Sequence, residues 1–262
     1  MLNLPWVSGR YARGGQFAAG PAAPVDAAGV TREDDLIGWW KLDESSGTSA
    51  ADSTDTGNNG TASNMVDGDW VSGKNGNCLD FDGTNDRVNM AADSSYPTEN
   101  FSMSCWFNLS ATGAYRSILC STHYAAAGHD GNWIFRLNGT NGGSPTMALR
   151  CVNGVTSFCD KTESITISTD EWHHGGFVHN ATSNTAHLFY DGSELGSGTA
   201  TGGNDLENLK DMGFAIGVQS WSTTPLNANF WAGQIDDVRL YNAVLAASDF
   251  SDIYNSGDGD WP

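Results

Sequence analysis

Acid–base chemistry on a glycosidic bond needs two carboxylates on either side of it, and the carboxylates of this chain are poorly placed for that. Its seven Glu (Glu33, Glu44, Glu99, Glu163, Glu171, Glu194, Glu207) are scattered. Asp236 and Asp237 are adjacent, and on a regular strand adjacent side chains point to opposite faces, so they are not expected to work as a pair. Nucleophilic chemistry fares no better. There is no Gly-x-Ser-x-Gly, and His173-His174 follow Trp172 at the start of a strand, where their rings are expected to diverge. His123 and His129 flank an Ala/Gly-rich loop, which reads as solvent-facing. Five Cys (Cys78, Cys105, Cys120, Cys151, Cys159) include no Cys-x-x-Cys, so they read as small buried apolar residues. One Cys105–Cys120 bridge across a hairpin is the pairing left open, and zinc is not supported. Asp52-Ser-Thr-Asp-Thr-Gly-Asn-Asn59 has the look of a metal loop, but its spacing is not that of an EF-hand, and a polar turn-rich loop is the plainer reading.

The elements that would position these residues are strands. Phe101–Leu109 alternates with Phe101, Met103, Cys105 and Phe107 on one face. Met147–Val152 and Val155–Cys159 flank Asn153-Gly154, a strong hairpin pattern. Leu36–Leu42, Cys78–Asp82, Arg87–Met90, Asn132–Leu137, His173–Asn180, Thr185–Tyr190, Phe214–Gly217 and Gln234–Tyr241 read as further strands, and only Ala246–Asn255 reads as a helix. Many short strands separated by Gly, Asn and Asp turns predict an all-β sandwich. Trp39, Trp40, Trp106, Trp133, Trp172 and Trp231 read as fillers between its sheets. Trp70, Trp221 and Trp261 fall in loop or tail contexts, and Trp70 and Trp221 are the candidate sugar platforms.

Composition divides the chain at about residue 35. The first thirty residues carry Arg10 and Arg13 against Asp26 only, so nearly all of the net charge of −19 lies beyond them. Residues 1–35 are rich in Gly, Ala and Pro yet hold Leu4, Trp6, Tyr11 and Phe17. Apolar anchors on such a backbone suit an extended arm lying on another surface, with residues 36–262 as the sandwich. The acid excess argues against nucleic acid as a partner, and no run of 18 apolar residues suggests a membrane span. The N-terminus lacks the pattern of a secretion signal. Sequons at Asn59, Asn100, Asn108, Asn138 and Asn180 would matter only on a glycosylating route.

In chain order the pieces form a recognisable series. Trp39-Trp-Lys-Leu-Asp-Glu-Ser-Ser-Gly47 comes first, then Asn59-Gly-Thr61 and Gly76-Asn-Cys-Leu-Asp-Phe-Asp-Gly-Thr-Asn-Asp-Arg-Val88. The strand Phe101–Phe107, Glu171-Trp-His-His174, Leu188-Phe-Tyr-Asp-Gly192 and Gly233-Gln-Ile-Asp-Asp-Val-Arg-Leu-Tyr-Asn-Ala-Val-Leu245 complete it. From Leu36 to Gly257 the chain resembles a laminin G-like domain of the concanavalin A-like lectin/glucanase superfamily. The resemblance implies a two-sheet antiparallel jelly-roll sandwich with one short C-terminal helix. It also implies a structural Ca²⁺ ion held by Asp43, Asp236 and backbone oxygen at Gly83. Glucanases of the superfamily carry Glu-x-Asp-x-x-Glu or Glu-x-Asp-x-Glu on one strand, and that run is absent here, so no enzyme is expected. Two readings remain open. In one, the arm anchors a lectin-like sandwich in a larger assembly, a phage virion as capsid decoration or tail component, as a homo-oligomer meeting other virion proteins and cell-surface glycans. In the other it is a free-standing, secreted or cell-surface carbohydrate-binding module. A glucanase-type hydrolase is the weakest alternative.

Overall fold

A computed structural model describes residues 32–97, 100–112, 115–121, 131–139, 145–153, 156–199, 213–220 and 227–256. With strands numbered in chain order, sheet I runs β14 (Ser193–Thr199), β13 (Thr185–Tyr190), β12 (Trp172–Asn180), β7 (Phe101–Leu109), β18 (Ala232–Tyr241), β5 (Asn77–Asp82) and β4 (Trp70–Ser72). β1 (Leu36–Trp40) also pairs with β18. Sheet II runs β11 (Thr156–Ser164), β10 (Thr146–Asn153), β9 (Gly131–Asn138), β8 (Tyr115–Ser121), β15 (Phe214–Ile216), β6 (Arg87–Met90), β3 (Gly60–Ser63) and β2 (Ser49–Ala50). A separate two-stranded sheet joins β16 (Gln219–Ser220) and β17 (Asn227–Ala228), and every described pairing is antiparallel. This is the expected all-β sandwich.

The core follows from alternation. Phe101, Met103, Cys105 and Phe107 of β7 face inward, against Trp133, Phe135, Met147, Leu149 and Phe214 of sheet II. Trp40 and Trp231 are fully buried among them. Trp106 is a correction: it too is buried, but lies outside this core, stacked on Tyr254 at 5.5 Å and beside His174 at 5.2 Å. As an even-numbered residue of β7 it must leave by the outer face. Trp39 and Trp172 are only half-buried. Cys105 and Cys120 are both buried but sit on different sheets, so the bridge left open by the sequence does not form.

The helix α1 (Ala247–Ser256) closes the outer face of sheet I. Its Phe250 and Ile253 pack with Val178, Phe189 and Tyr241, and the Phe189 and Phe250 rings stack at 3.8 Å. Gly176 permits this: a Cβ there would stand 2.3 Å from Phe250 Cε1 and 2.7 Å from the Met103 carbonyl oxygen.

Candidate functional site

β18 changes neighbours partway along one flank. Its residues Ala232–Ile235 pair with β5, and Val238–Tyr241 pair with β1. At the changeover the register with β7 shifts between Asp236 and Arg239, and Asp237 takes a positive φ of 50°. This is a bulge, which breaks strict alternation. Ile235 and Val238 both enter the core, while Asp236 and Asp237 both leave it. The expectation that these two acids diverge to opposite faces is therefore corrected: the inserted residue re-aims the second.

Asp237 faces Trp39 and Arg239. The Arg239 guanidinium donates to it twice, Nε to Oδ1 at 3.0 Å and Nη2 to Oδ2 at 2.8 Å, and the Trp39 indole N–H donates to Oδ1. Asp236 turns to the β4–β5 connection, where Oδ2 accepts the Asn75 backbone N–H at 2.9 Å. Asp43 holds the same connection from its other side, Oδ1 accepting the Asn77 backbone N–H at 2.8 Å. Gly76 sits between them at φ +80°, and a Cβ there would stand 2.0 Å from Asp43 Oδ1. The two acids singled out in the sequence are thus brought to one turn.

Asp236 is fully buried, and its Oδ1 has no hydrogen-bond partner among the described residues. Burial pushes its carboxyl up to about 8, against the Asn75 N–H, with the charges of Asp237 and Asp43 adding to the rise. A buried, unpartnered carboxylate oxygen beside a second carboxylate fits a bound cation, which Asp43 and Asp236 would hold. Gly83 does not belong with them. It follows the far end of β5, packed against Ala232 and Arg116, and six strand residues span roughly 20 Å. No group of three or more His, Cys, Asp and Glu suited to a metal occurs among the described residues, so the other ligands would have to be backbone or water oxygens.

Beside this turn opens a cavity of about 350 Å³ lined by Trp39, Lys41, Asp43, Lys74, Asn75, Gly76 and Asp237. That lies at the lower end of the range for small-ligand pockets. The Lys41 ammonium sits 4.2 Å from the Trp39 ring centroid, and that of Lys74 4.5 Å from Trp106. An aromatic wall with ammonium, amide and carboxylate groups around it is the mixture that grips a polyhydroxylated ring. Only Asp43 of this lining had been marked in the sequence as a site residue. Lys41 and Lys74 gave no pattern, and Trp39 read as core filler.

Trp70 is corrected: it is 8% exposed, pairs within sheet I, and its indole N–H donates to the Gly47 carbonyl at 3.0 Å, so it offers no platform. Trp221 and the arm residues Leu4, Trp6, Tyr11 and Phe17 lie outside the described residues. The Asp52 loop closes on itself, Asp52 accepting from the backbone N–H groups of Trp39, Thr54 and Asn58. One grouping was missed in the sequence. His173 Nδ1 lies 2.9 Å from Asp191 Oδ2 and 2.8 Å from the Tyr190 hydroxyl, with Nε2 3.4 Å from Ser168 Oγ. The Ser168 hydroxyl donates to Glu171, however, and Asp191 Oδ1 also accepts the His174 N–H at 2.8 Å. The grouping pins the β11–β12 connection to the turn after β13.

A family model described as concanavalin A-like lectin/glucanases superfamily, of the laminin G type, matches residues 82–250. No curated protein matches the chain. Among solved structures it is similar to domain 4 of AbnA, a GH43 extracellular arabinanase from Geobacillus stearothermophilus, in complex with arabinotriose. The identity is 19% and the TM-score 0.63, over 84% of this chain and 98% of that one. The heptameric SAP-like pentraxin from Limulus polyphemus is 16% identical with a TM-score of 0.53, over 67% and 80% of the two chains. The binding domain of botulinum neurotoxin serotype D is 16% identical with a TM-score of 0.60, over 85% of this chain and 52% of that one. Identities this low speak for the fold.

Proposed function

Because the chain belongs to the concanavalin A-like lectin/glucanase superfamily, we propose that it is a non-catalytic binding module that takes a saccharide in the Trp39 cleft. The observation that carries this is the cavity itself, where an aromatic wall meets ammonium, amide and carboxylate groups at one small concavity. The acids nearby have other work. Asp237 is ion-paired to Arg239, Asp43 holds the turn, and Asp236 is sealed from solvent. Domain 4 of AbnA, which shares the fold, was solved with arabinotriose, which favours a sugar over other small polar ligands. Calorimetry against neutral and acidic oligosaccharides tests the reading: saturable binding, weakened in Trp39→Ala and Asn75→Ala chains that still fold, is expected. Binding unchanged by both substitutions would place the site elsewhere.

On this reading Ca²⁺ is a structural partner held by Asp43 and Asp236, neutralising Asp236 and fixing the turn that forms one wall of the cleft. The finer placement we infer is in a larger assembly, a phage virion, with residues 1–35 as the anchor. It is supported by Leu4, Trp6, Tyr11 and Phe17 on a nearly neutral segment ahead of an acidic body. Deleting residues 1–35 should leave the sandwich's circular dichroism intact and abolish incorporation into particles. Incorporation of the truncated chain would favour the free-standing module instead.

A further inference from the structure

We infer that the Trp39 cleft selects an acidic saccharide, its carboxylate between Lys41 and Lys74; this rests on the saccharide-binding reading and names the ligand class. The argument is one of charge placed against the grain. The chain has 31 Asp and Glu against 12 Lys and Arg, so an anion is repelled from most of its surface. Two of those few cations line one small cavity. Of the acids in the same lining, Asp237 is charge-paired with the two-pronged Arg239, and Asp43 is engaged by the Asn77 N–H. Lys41 forms no ion pair among the described residues; its ammonium rests on the Trp39 ring. An indole face attracts a cation without neutralising it, so the charge and its N–H donors stay available to a ligand carboxylate. The buried Arg239 guanidinium also lies 4.9 Å from the Trp39 ring centroid, its charge already paired with Asp237.

A neutral sugar would gain little from ammonium groups held over indoles, whereas a uronate or sialate gains charge-assisted hydrogen bonds. Those are about twice as strong as neutral ones. Asn75 is left for the ring hydroxyls.

The test is calorimetric titration of the full chain with tetragalacturonate, tetramannuronate and sialyllactose, each beside its methyl ester, which keeps the ring and removes the charge. At least one acid should bind, with its ester about tenfold weaker. Lys41→Gln should reduce acid binding to the level of the ester and leave the ester unchanged, while Lys41→Arg retains it. Lys74→Gln is the second variant, with a thermal melt to verify its fold. Equal binding of acid and ester, lost in Trp39→Ala, would overturn the acidic class and keep the saccharide reading. Acid binding indifferent to both lysine variants would overturn the assignment to this cleft. No binding of any acid would overturn the inference, and neutral oligosaccharides in the same instrument would then judge the wider reading separately.

Discussion

Asp236 and His174 are two buried groups whose burial pulls stability in opposite directions with pH. Burial lowers the His174 imidazole from 6.5 to about 4, and neither ring nitrogen has a hydrogen-bond partner among the described residues. The folded chain binds fewer protons at His174 than the unfolded chain between those values, so its contribution is whole above 6.5 and lost as pH falls toward 4. Asp236 is raised from 3.8 to about 8. Its contribution is whole below 3.8 and lost as pH rises to about 8. The two oppose each other between 4 and 6.5, and above 6.5 Asp236 acts alone. Metal-free protein should therefore lose stability from pH 6.5 to 8 in urea melts, and Asp236→Asn should flatten that slope. Asp237→Ala removes the carboxylate that pairs with the buried Arg239 and should cost about 3–5 kcal/mol by the same melts. At this scale Asp43 and Asp236 were legible only through the family resemblance, which places an acid near the first strand and another near the last. The sequence hid Asp237, whose role depends on a bulge, and it misplaced Trp70. A three-residue strand among polar neighbours looks like a loop until its partner strand is known.

Among the elements, the end of β18 and the helix α1 do most to shape the molecule. The bulge at Asp237 opens the seam between β5 and β1 where the cleft forms, and the helix closes the rest of that outer face. Phe250→Ala should cost about 3–5 kcal/mol, the usual result for a buried aromatic, measured by denaturant unfolding. Gly176→Ala should be destabilising as well, since its Cβ would meet Met103 backbone as well as the Phe250 ring. A Gly176→Ala chain as stable as the parent would show that the helix does not lie where it is placed. Strand periodicity made β7, the β10–β11 hairpin and the C-terminal helix readable in advance, because each is local. The strand order was not readable from periodicity, since β18 lies between β7 and β5, far apart in sequence. The family resemblance supplied the two-sheet sandwich, and the order of its strands came from the structure.

For the whole molecule, a net charge of −19 with two lysines gathered at one cavity makes recognition local rather than global. Calcium at Asp43 and Asp236 would act through the fold. At a hundredfold excess over its dissociation constant it would add about 2.7 kcal/mol, or roughly 5–10 °C in melting temperature for a chain of this size. A chelator should remove the gain, and identical melts with calcium and chelator would remove the ion from the account. The central claim is that the Trp39 cleft is a saccharide site. The measurement that bears on it most directly is a glycan array probed with the full chain and with Trp39→Ala, both verified as folded. The account predicts a defined set of bound glycans that disappears in the variant. An array left blank by the parent chain, or an unchanged pattern in Trp39→Ala, would contradict it.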